Sequence, residues 1–235
     1  MNEQIGVFKI CVFLQAKMIS QVEENYLKAI FQLSEGSGLA GSNEISKHLN
    51  IKMPTVNSMM KKLAEKGLVI YESYKPIKLT AKGRKEAALI IRRHRLTEMF
   101  LVEKMGFGWE EVHSIAEQLE HLQSEAFFLK MDEMLGFPTK DPHGSPIPDK
   151  NGKIINEELI KLSACKAGDQ VILNAVRNSS EDFLKYLNSK EISLGLKMKI
   201  KLIEAFDKSV LLSYGKHKNQ VFSATVCDNL LVTKI

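Results

Sequence analysis

Six side chains that can bind a divalent cation lie at helical spacing in two neighbouring stretches of the sequence. They are His94 and Glu98 in the first stretch, and His113, Glu117, Glu120 and His121 in the second. Residues four, seven or eight apart share one face of a helix. If the two helices are antiparallel neighbours, imidazoles and carboxylates meet in one place, where like-charge repulsion is costly without a cation. The spacing therefore predicts a metal centre.

The types of donor indicate which metal the centre would hold. The six residues are three histidines and three glutamates, a mixed nitrogen and oxygen set that suits Mn²⁺ or Fe²⁺. Three cysteines, Cys11, Cys165 and Cys227, are far apart and form no Cys-x-x-Cys pair. Neither a zinc finger nor a disulfide framework is indicated, and a reduced, cytoplasmic setting is expected.

Three other interpretations of the six residues stay open. Single His and Glu residues on helices are usually exposed and solvated. The cluster could instead serve only a structural role, in a DNA-binding regulator that responds to a small organic effector. It could also hold two metals that activate water, as in a dinuclear hydrolase. No nucleophile, general acid or phosphate-cradling loop lies beside the cluster in the sequence, which argues against an enzyme.

The elements that position the six residues are predicted to be helices. A long helix begins near Ala81 after a Thr80 cap and extends to about Met105. Two further helices are expected at about Glu110–Leu122 and Ser124–Leu135. These helices form the predicted middle domain of the chain.

Upstream of the long helix, the pattern is that of a winged helix-turn-helix. Helices are expected at 21–34, 44–49 with Ser42 or Asn43 as cap, and 54–66, and strand-like runs at 68–71 and 77–80. Helix, helix, short turn, helix and β-hairpin is the order of this DNA-binding motif.

The third helix of this motif offers a polar face for reading DNA. Candidate DNA-contacting residues are Lys52, Pro54, Thr55, Asn57, Ser58, Lys61, Lys62 and, at the hairpin tip, Lys75. Short polar side chains near a helix start can reach base edges, while lysines can contact phosphates. The alternative is an ordinary solvated helix face. The formal net charge of +5 fits a polyanionic partner but does not by itself identify one.

The composition of the chain predicts five segments. These are an N-terminal extension (1–20), the winged helix-turn-helix domain (21–82), a helical domain (83–140), a Pro/Gly-rich linker (141–157) and a C-terminal domain (158–235). In the C-terminal domain, strands are expected at 170–175, 197–205, 210–213, 220–224 and 230–235, with a helix at 180–189. Several short strands in so small a domain indicate a small barrel. Residues 5–16 are apolar but carry Lys9 and are too short to span a bilayer, so no membrane partner is expected.

The chain resembles the diphtheria-toxin-repressor family of iron- and manganese-dependent regulators from about Val22 to Ile235. The motifs that carry the resemblance are Glu24-Asn25-Tyr26-Leu27, Met53-Pro54-Thr55-Val56, Lys66-Gly67-Leu68-Val69, Arg93-His94-Arg95-Leu96-Thr97-Glu98, Val112-His113 through Glu120-His121, and Gly144-Ser145-Pro146-Ile147-Pro148. Together these motifs are highly specific.

The resemblance implies a mainly α fold with β structure: a winged helix-turn-helix domain, a helical metal-binding and dimerisation domain, and a C-terminal SH3-like barrel. It implies a cytoplasmic homodimer that binds a palindromic double-stranded DNA operator, represses metal-uptake genes and is no enzyme. Metal would order the first helix against the central helices.

The resemblance also implies two metal sites per subunit, for Mn²⁺ or Fe²⁺. The ancillary site would take His94, Glu98 and His113, with Asp182 from the C-terminal domain; the primary site would take Asn25, Glu117, Glu120 and His121. Glu117 stands where manganese-responsive members have Glu and iron-responsive members have Cys, which favours Mn²⁺.

Two positions depart from the family pattern. Asn25 stands where the family has Met or Asp, and Lys28 where the manganese-type proteins have a Glu ligand. The arrangement of the manganese-type proteins is therefore not expected to be copied in full.

Overall fold

The computed structural model describes residues 19–235, so the expectations for residues 1–18 lie outside the described residues. The chain divides into two compact units, one ending at Ile90 and one spanning Ile91–Ile235. Within 19–235, no helix has the length and apolarity that a membrane crossing requires.

The first unit is the predicted winged helix-turn-helix. It contains α1 (Gln21–Leu33), α2 (Ser42–Leu49), α3 (Met53–Glu65), β1 (Val69–Ile70) and β2 (Lys78–Leu79). The two strands pair antiparallel, with Val69 opposite Leu79, and Ala40 adds a bridge to Ile77. Its core consists of apolar residues from all three helices and the hairpin: Tyr26, Leu27, Ile30, Ile45, Val56, Met60, Leu63, Leu68, Ile77 and Leu79.

Local hydrogen bonds fix the ends of these helices. Ser20 and Glu23 form a reciprocal capping box at the start of α1. The prediction that Ser42 or Asn43 caps α2 was wrong: the cap is Gly41, whose N–H donates to Glu44 at 2.7 Å. Asn50 adopts a left-handed conformation, φ 53°, and ends α2 in the short turn before α3.

Three helices carry the candidate metal ligands. They are α4 (Ala81–Met105), α5 (His113–Leu119) and α6 (Glu125–Leu135), and the division between the units falls within α4. Helix α5 is shorter than the predicted 110–122, because turn bonds replace helical ones at Glu111 and Leu122. Glu120 caps the end of α5 with helical angles, φ −60° and ψ −20°, so the spacing argument still holds there.

The C-terminal part of the second unit is a six-stranded antiparallel sheet, the predicted SH3-like barrel. Its strands are β3 (Ile160–Lys161), β4 (Gln170–Val176), β5 (Lys197–Ile203), β6 (Val210–Tyr214), β7 (His217–Phe222) and β8 (Leu230–Lys234), and its helices are α7 (Glu181–Ser189) and α8 (Ala224–Asp228). The strand order is β3-β8-β4-β5-β6-β7. The predicted strand at 220–224 was wrong at its end, because Ser223 caps α8.

The segment 141–157 has no helix or strand, yet hydrogen bonds to neighbouring elements fix its first part. Arg92 donates to the carbonyl of Pro148 at 2.6 Å, and Arg95 donates to the carbonyl of Pro146. The N–H of Val176 in β4 donates to the carbonyl of His143 at 2.9 Å. This loop is therefore fixed between α4 and the barrel. The boundaries predicted inside the second unit, at 140 and 157, stay predictions.

Candidate metal centre

Three ligand atoms converge where α4 meets the start of α5. Nε2 of His94 lies 3.0 Å from Oε1 of Glu98 and 3.2 Å from Nδ1 of His113, and the last two atoms are 3.2 Å apart. Two ligands at about 2.1 Å from one metal and at right angles are about 3.0 Å apart. The triangle therefore has the size of one face of a coordination shell.

Glu98 is the central carboxylate of this triangle and is only 2% exposed. Burial by itself raises the pKa of a carboxyl group, but contacts with His113, His143 and His94 outweigh that effect. The pKa of Glu98 is consequently held well below its usual range. The carboxylate stays ionised in a buried place, as a hard metal ligand must.

A neighbouring carboxylate orients the ring of His94. Nδ1 of His94 lies 2.6 Å from Oε2 of Glu120, and both side chains are buried. An ionised carboxylate only accepts, so Nδ1 donates to Glu120. Nε2 donates to Glu98 when the ring is protonated, and it can bind a metal when the ring is neutral. A carboxylate behind a histidine in this way fixes the tautomer that binds metal.

The remaining predicted ligands of the central helices join the same network. Oε1 of Glu117 lies 3.5 Å from Nε2 of His113, and both are about half exposed. Nε2 of His121 lies 3.6 Å from Oε1 of Glu120. The structure thus brings all six residues of the spacing argument together.

Two predicted ligands remain, Asn25 and Asp182. Asn25 is exposed on α1 of the first unit. Asp182 is exposed on α7 and belongs to neither group of clustered His and acidic ligand atoms found in residues 19–235. The roles of both residues stay predictions.

Two residues of the loop after α6 were missed. Asp141 and His143 are buried, and their ligand atoms lie with one of Glu98 within 4.8 Å of one another. Burial and the charge of Glu98 raise the pKa of Asp141. Burial lowers the pKa of His143, but Glu98 and Asp141 outweigh it and raise that pKa. The sequence feature that could have revealed these two residues is their position, as ligand-type side chains, directly before Gly144-Ser145-Pro146-Ile147-Pro148.

The predicted DNA-reading face is largely exposed. Lys52, Pro54, Thr55, Ser58, Lys61, Lys62 and Lys75 are exposed, and Asn57 is half-buried. The Ser58 hydroxyl donates to the Pro54 carbonyl at 3.0 Å. Nζ of Lys62 lies 3.3 Å from buried Glu23. Lys75 pairs with Glu72 on the hairpin tip at 2.8 Å.

The cysteines of the described residues are buried and unpaired with each other. Burial and nearby Asp169 raise the pKa of Cys165, and burial together with Asp228 and Cys165 raises that of Cys227 to about 12. Such thiols are inert packing groups rather than soft metal ligands. Cys11 lies outside the described residues.

Two family profiles match the chain. Residues 18–77 match the N-terminal DNA-binding domain of iron-dependent repressors, and residues 80–149 match their metal-binding and dimerisation domain.

Relatives and solved structures agree with these matches. The iron-dependent repressor IdeR of Mycobacterium leprae is 32% identical over 165 residues, which are 67% of this chain and 71% of that protein. IdeR of Mycobacterium tuberculosis is 36% identical over the same shares. A manganese-dependent transcriptional repressor in complex with manganese has a TM-score of 0.82 at 30% identity and covers 90% of this chain and 99% of its own. ScaR with bound Zn²⁺ has a TM-score of 0.76 at 31% identity, with the same coverage. The chain therefore belongs to the iron-dependent repressor family, which also includes the diphtheria toxin repressor.

Proposed function

We propose that this chain is a repressor activated by Mn²⁺ or Fe²⁺, which binds a palindromic DNA operator as a homodimer and controls metal-uptake genes. The observation that carries the proposal is the triangle of His94, Glu98 and His113. A shell of imidazole and carboxylate donors with no sulfur favours Mn²⁺.

The residues present fit a divalent cation. His94, Glu98 and His113 would hold one ion, and Glu117, Glu120 and His121, with Asn25 as a predicted fourth ligand, would hold another. A bound cation supplies the positive charge that offsets the clustered carboxylates. Asp182 is the further predicted ligand of the first set.

The chain's own residues link this centre to DNA binding. When the ligands are drawn together, the population shifts toward the form of the dimer that fits the operator. In that form, Thr55, Asn57 and Ser58 reach base edges, and Lys52 and Lys75 contact phosphates.

Exposed apolar residues around α6 support a dimer. Phe127 is 42% exposed, Met134 50% and Phe137 65%, whereas Phe128 and Met131 of the same helix are buried. Phe127 and Met134 are seven residues apart and share one face of α6. Exposed apolar side chains gathered on one face mark an interaction surface. A second copy of this chain is the proposed occupant, and two-fold symmetry of the dimer would match a palindromic operator.

The central experiment compares operator binding with and without metal. An operator is selected from random duplexes in the presence of Mn²⁺, and its affinity is measured by fluorescence anisotropy in chelator and in saturating Mn²⁺. We expect Mn²⁺ to strengthen binding at least about fivefold, the lower end of ordinary allosteric coupling. Glu98→Gln should abolish the response, whereas exposed Glu103→Gln on the same helix should keep it. Equal affinity of the wild type in both conditions contradicts metal activation.

Two alternatives have their own signatures. A regulator that answers to an organic effector would show no metal in elemental analysis and no metal-dependent shift of the melting temperature. A dinuclear hydrolase would turn over phosphate esters or peptides when loaded with metal.

A further inference from the structure

We propose that the C-terminal barrel binds a small polyphosphate anion, such as pyrophosphate or the phosphate tail of a nucleotide. The site is a cleft on the outer face of β5, β6 and β7. None of the candidate metal ligands lines this cleft, so the inference does not depend on the proposed metal activation.

The cleft forms because small residues of β6 and its following turn lie between lysines of the two flanking strands. Lys199 of β5 pairs with Ser213 of β6, and exposed Lys218 lies on β7, at the other side of β6. Gly215, directly after β6, has no side chain, and a Cβ added there would meet nothing within 4 Å. The cleft that these residues line has a volume of about 270 Å³. Ligand sites usually measure about 300–1,000 Å³, so this cleft suits a small ligand.

The walls of the cleft are cationic. Lys197, Lys199 and Lys218 line it, and among residues 19–235 no Asp or Glu does so. The three lysine side chains form no ion pair or side-chain hydrogen bond with another of these described residues. An anion that enters the cleft would therefore meet three ammonium groups whose charge is not already offset.

The acidic residues beside the cleft are paired with other cations. Oε2 of Glu191 lies 3.0 Å from the ammonium of Lys216 and 3.0 Å from Nε2 of His217, which lines the cleft. Asp169, directly before β4, lies 2.7 Å from the ammonium of Lys234. The ion pairs of the barrel thus leave the positive charge of the cleft in place.

The spacing of the three lysines favours a ligand with more than one anionic group. Lys197 and Lys199 are two residues apart on β5, which is roughly 7 Å, and β5 and β7 are two strand spacings apart, which is roughly 10 Å. An ammonium group binds phosphate as a point charge with three N–H donors. Linked phosphates can contact all three ammonium groups without drawing them together, which limits their mutual repulsion. The Ser213 hydroxyl between the lysines can donate a further hydrogen bond.

Two other roles for the same lysines must be separated by experiment. Specific protein–DNA interfaces bury about 1,000–2,500 Å² of protein surface, which is more than a cleft of this size offers to a duplex. Strand β7 stands at the end of the strand order, and exposed lysines on an edge strand can serve to prevent sheets of different molecules from pairing. In that role, Lys218 would bind no anion.

Isothermal titration of the full chain with pyrophosphate, ADP and inorganic phosphate tests the proposal. The protein is first freed of metal with a chelator, because pyrophosphate itself binds divalent cations. We expect pyrophosphate and ADP to bind with dissociation constants below about 1 mM and more tightly than inorganic phosphate. Lys199→Gln and Lys218→Gln should each weaken binding about tenfold, the lower end for a hydrogen bond to a charged group. Ser213→Leu, which fills the cleft without changing its charge, should abolish binding. Lys185→Gln is the control, since it removes the same charge from an ammonium that lies 2.6 Å from Glu181 on α7, and it should bind like the wild type.

Four results would overturn the proposal. Neither pyrophosphate nor ADP binds the wild type at about 1 mM; Lys185→Gln and Lys218→Gln lose affinity equally, so that net charge alone attracts the anion; Ser213→Leu folds and binds like the wild type; or hexaglutamate or duplex DNA binds through Lys218 more tightly than pyrophosphate does. The substituted lysines are exposed, so their variants decide the matter even if Ser213→Leu does not fold.

Discussion

The carboxylate of Glu120 lies 2.6 Å from Nδ1 of His94, so a predicted ligand of the primary site is hydrogen-bonded to a predicted ligand of the ancillary site. His121 lies 3.6 Å from the other oxygen of the same carboxylate. Since Glu120 fixes the tautomer of His94, the two sets are expected to be energetically coupled.

Glu120→Gln is therefore expected to weaken metal binding at both sets. Loss of a residue that orients a ligand typically costs about 10–100-fold in affinity. We expect this loss of affinity at the ancillary site, which contains His94, in addition to a loss of affinity at the primary site, which contains Glu120. Isothermal titration with Mn²⁺, Fe²⁺ and Zn²⁺ measures both. Glu117→Ala is the matched comparison and should remove one tight site only. If Glu120→Gln left the metal affinity of the ancillary site unaltered, that result would contradict the coupling.

Asn25→Asp is expected to strengthen binding at the set that contains Glu117. An ionised oxygen is a stronger ligand for a hard dication than a neutral amide, and a gain of roughly 1.4 kcal/mol would be about tenfold in affinity. Titration with Mn²⁺ measures the change, and Asn43→Asp on α2 controls for added charge alone. Unchanged or weaker affinity would argue against Asn25 as a ligand.

Gly144→Ala is expected to displace the loop that carries Asp141 and His143. Gly144 has φ +86°, and an added Cβ would lie 2.2 Å from the Asn174 carbonyl oxygen. The positive φ alone costs about 1–3 kcal/mol for a residue with a side chain, and the overlap adds to it. Gly168→Ala is the control, with φ +94° and nothing within 4 Å. Urea unfolding should show a larger loss of unfolding free energy for Gly144→Ala than for Gly168→Ala. Equal losses would mean that the contact with Asn174 is unimportant.

Helical periodicity made much of the candidate metal centre predictable from the sequence. His94 and Glu98 are one turn apart on α4, and Glu120 keeps helical angles beyond the end of α5, so their common face followed from spacing. The winged helix followed in the same way from helix and hairpin signals. Such signals are local, so they predict only residues that lie in the helices and strands that show them.

The loop residues could not be predicted by the same reasoning. Asp141 and His143 lie in a segment without periodicity, and their position depends on Arg95 and on the approach of Gly144 to β4. These contacts join residues about 30 to 50 positions apart in the sequence, which spacing does not encode. The short α8 was missed for another reason, since a five-residue helix shows too little periodicity.

Glu23 is expected to make the stability of the first unit depend on pH. Burial by itself raises its pKa, but bonds from Lys66 and the Ser20 N–H outweigh this and lower the pKa below its ordinary 4.5. A lowered folded-state pKa stabilises the fold above pH 4.5, and this contribution is lost as pH falls through the lower folded value. Glu23→Gln should cost about 1.5–3 kcal/mol at neutral pH.

Urea unfolding of both proteins between neutral pH and pH 3 measures this effect. The gap between the wild type and Glu23→Gln should shrink below about pH 4.5, because protonation removes the same charge as the substitution. Glu65→Gln, at an exposed position of α3, serves as the control and should leave the unfolding free energy nearly unchanged. A gap that stays constant with pH would show that the charge of Glu23 does not matter.

Lys52→Ala is expected to weaken DNA binding without changing sequence preference. Lys52 is exposed at the N-cap of α3, where a phosphate is favoured by both the lysine charge and the helix start. Loss of one phosphate contact lowers the slope of log affinity against log salt by about 0.9. Lys62→Ala should change the slope less, because the Lys62 ammonium already lies 3.3 Å from Glu23.

Anisotropy titrations at several salt concentrations measure the slopes, with Lys150→Ala in an exposed loop of the second unit as the control. A wild-type slope in Lys52→Ala would remove Lys52 from the DNA interface, and a larger change in Lys62→Ala would mean that Lys62 leaves Glu23 to bind the backbone.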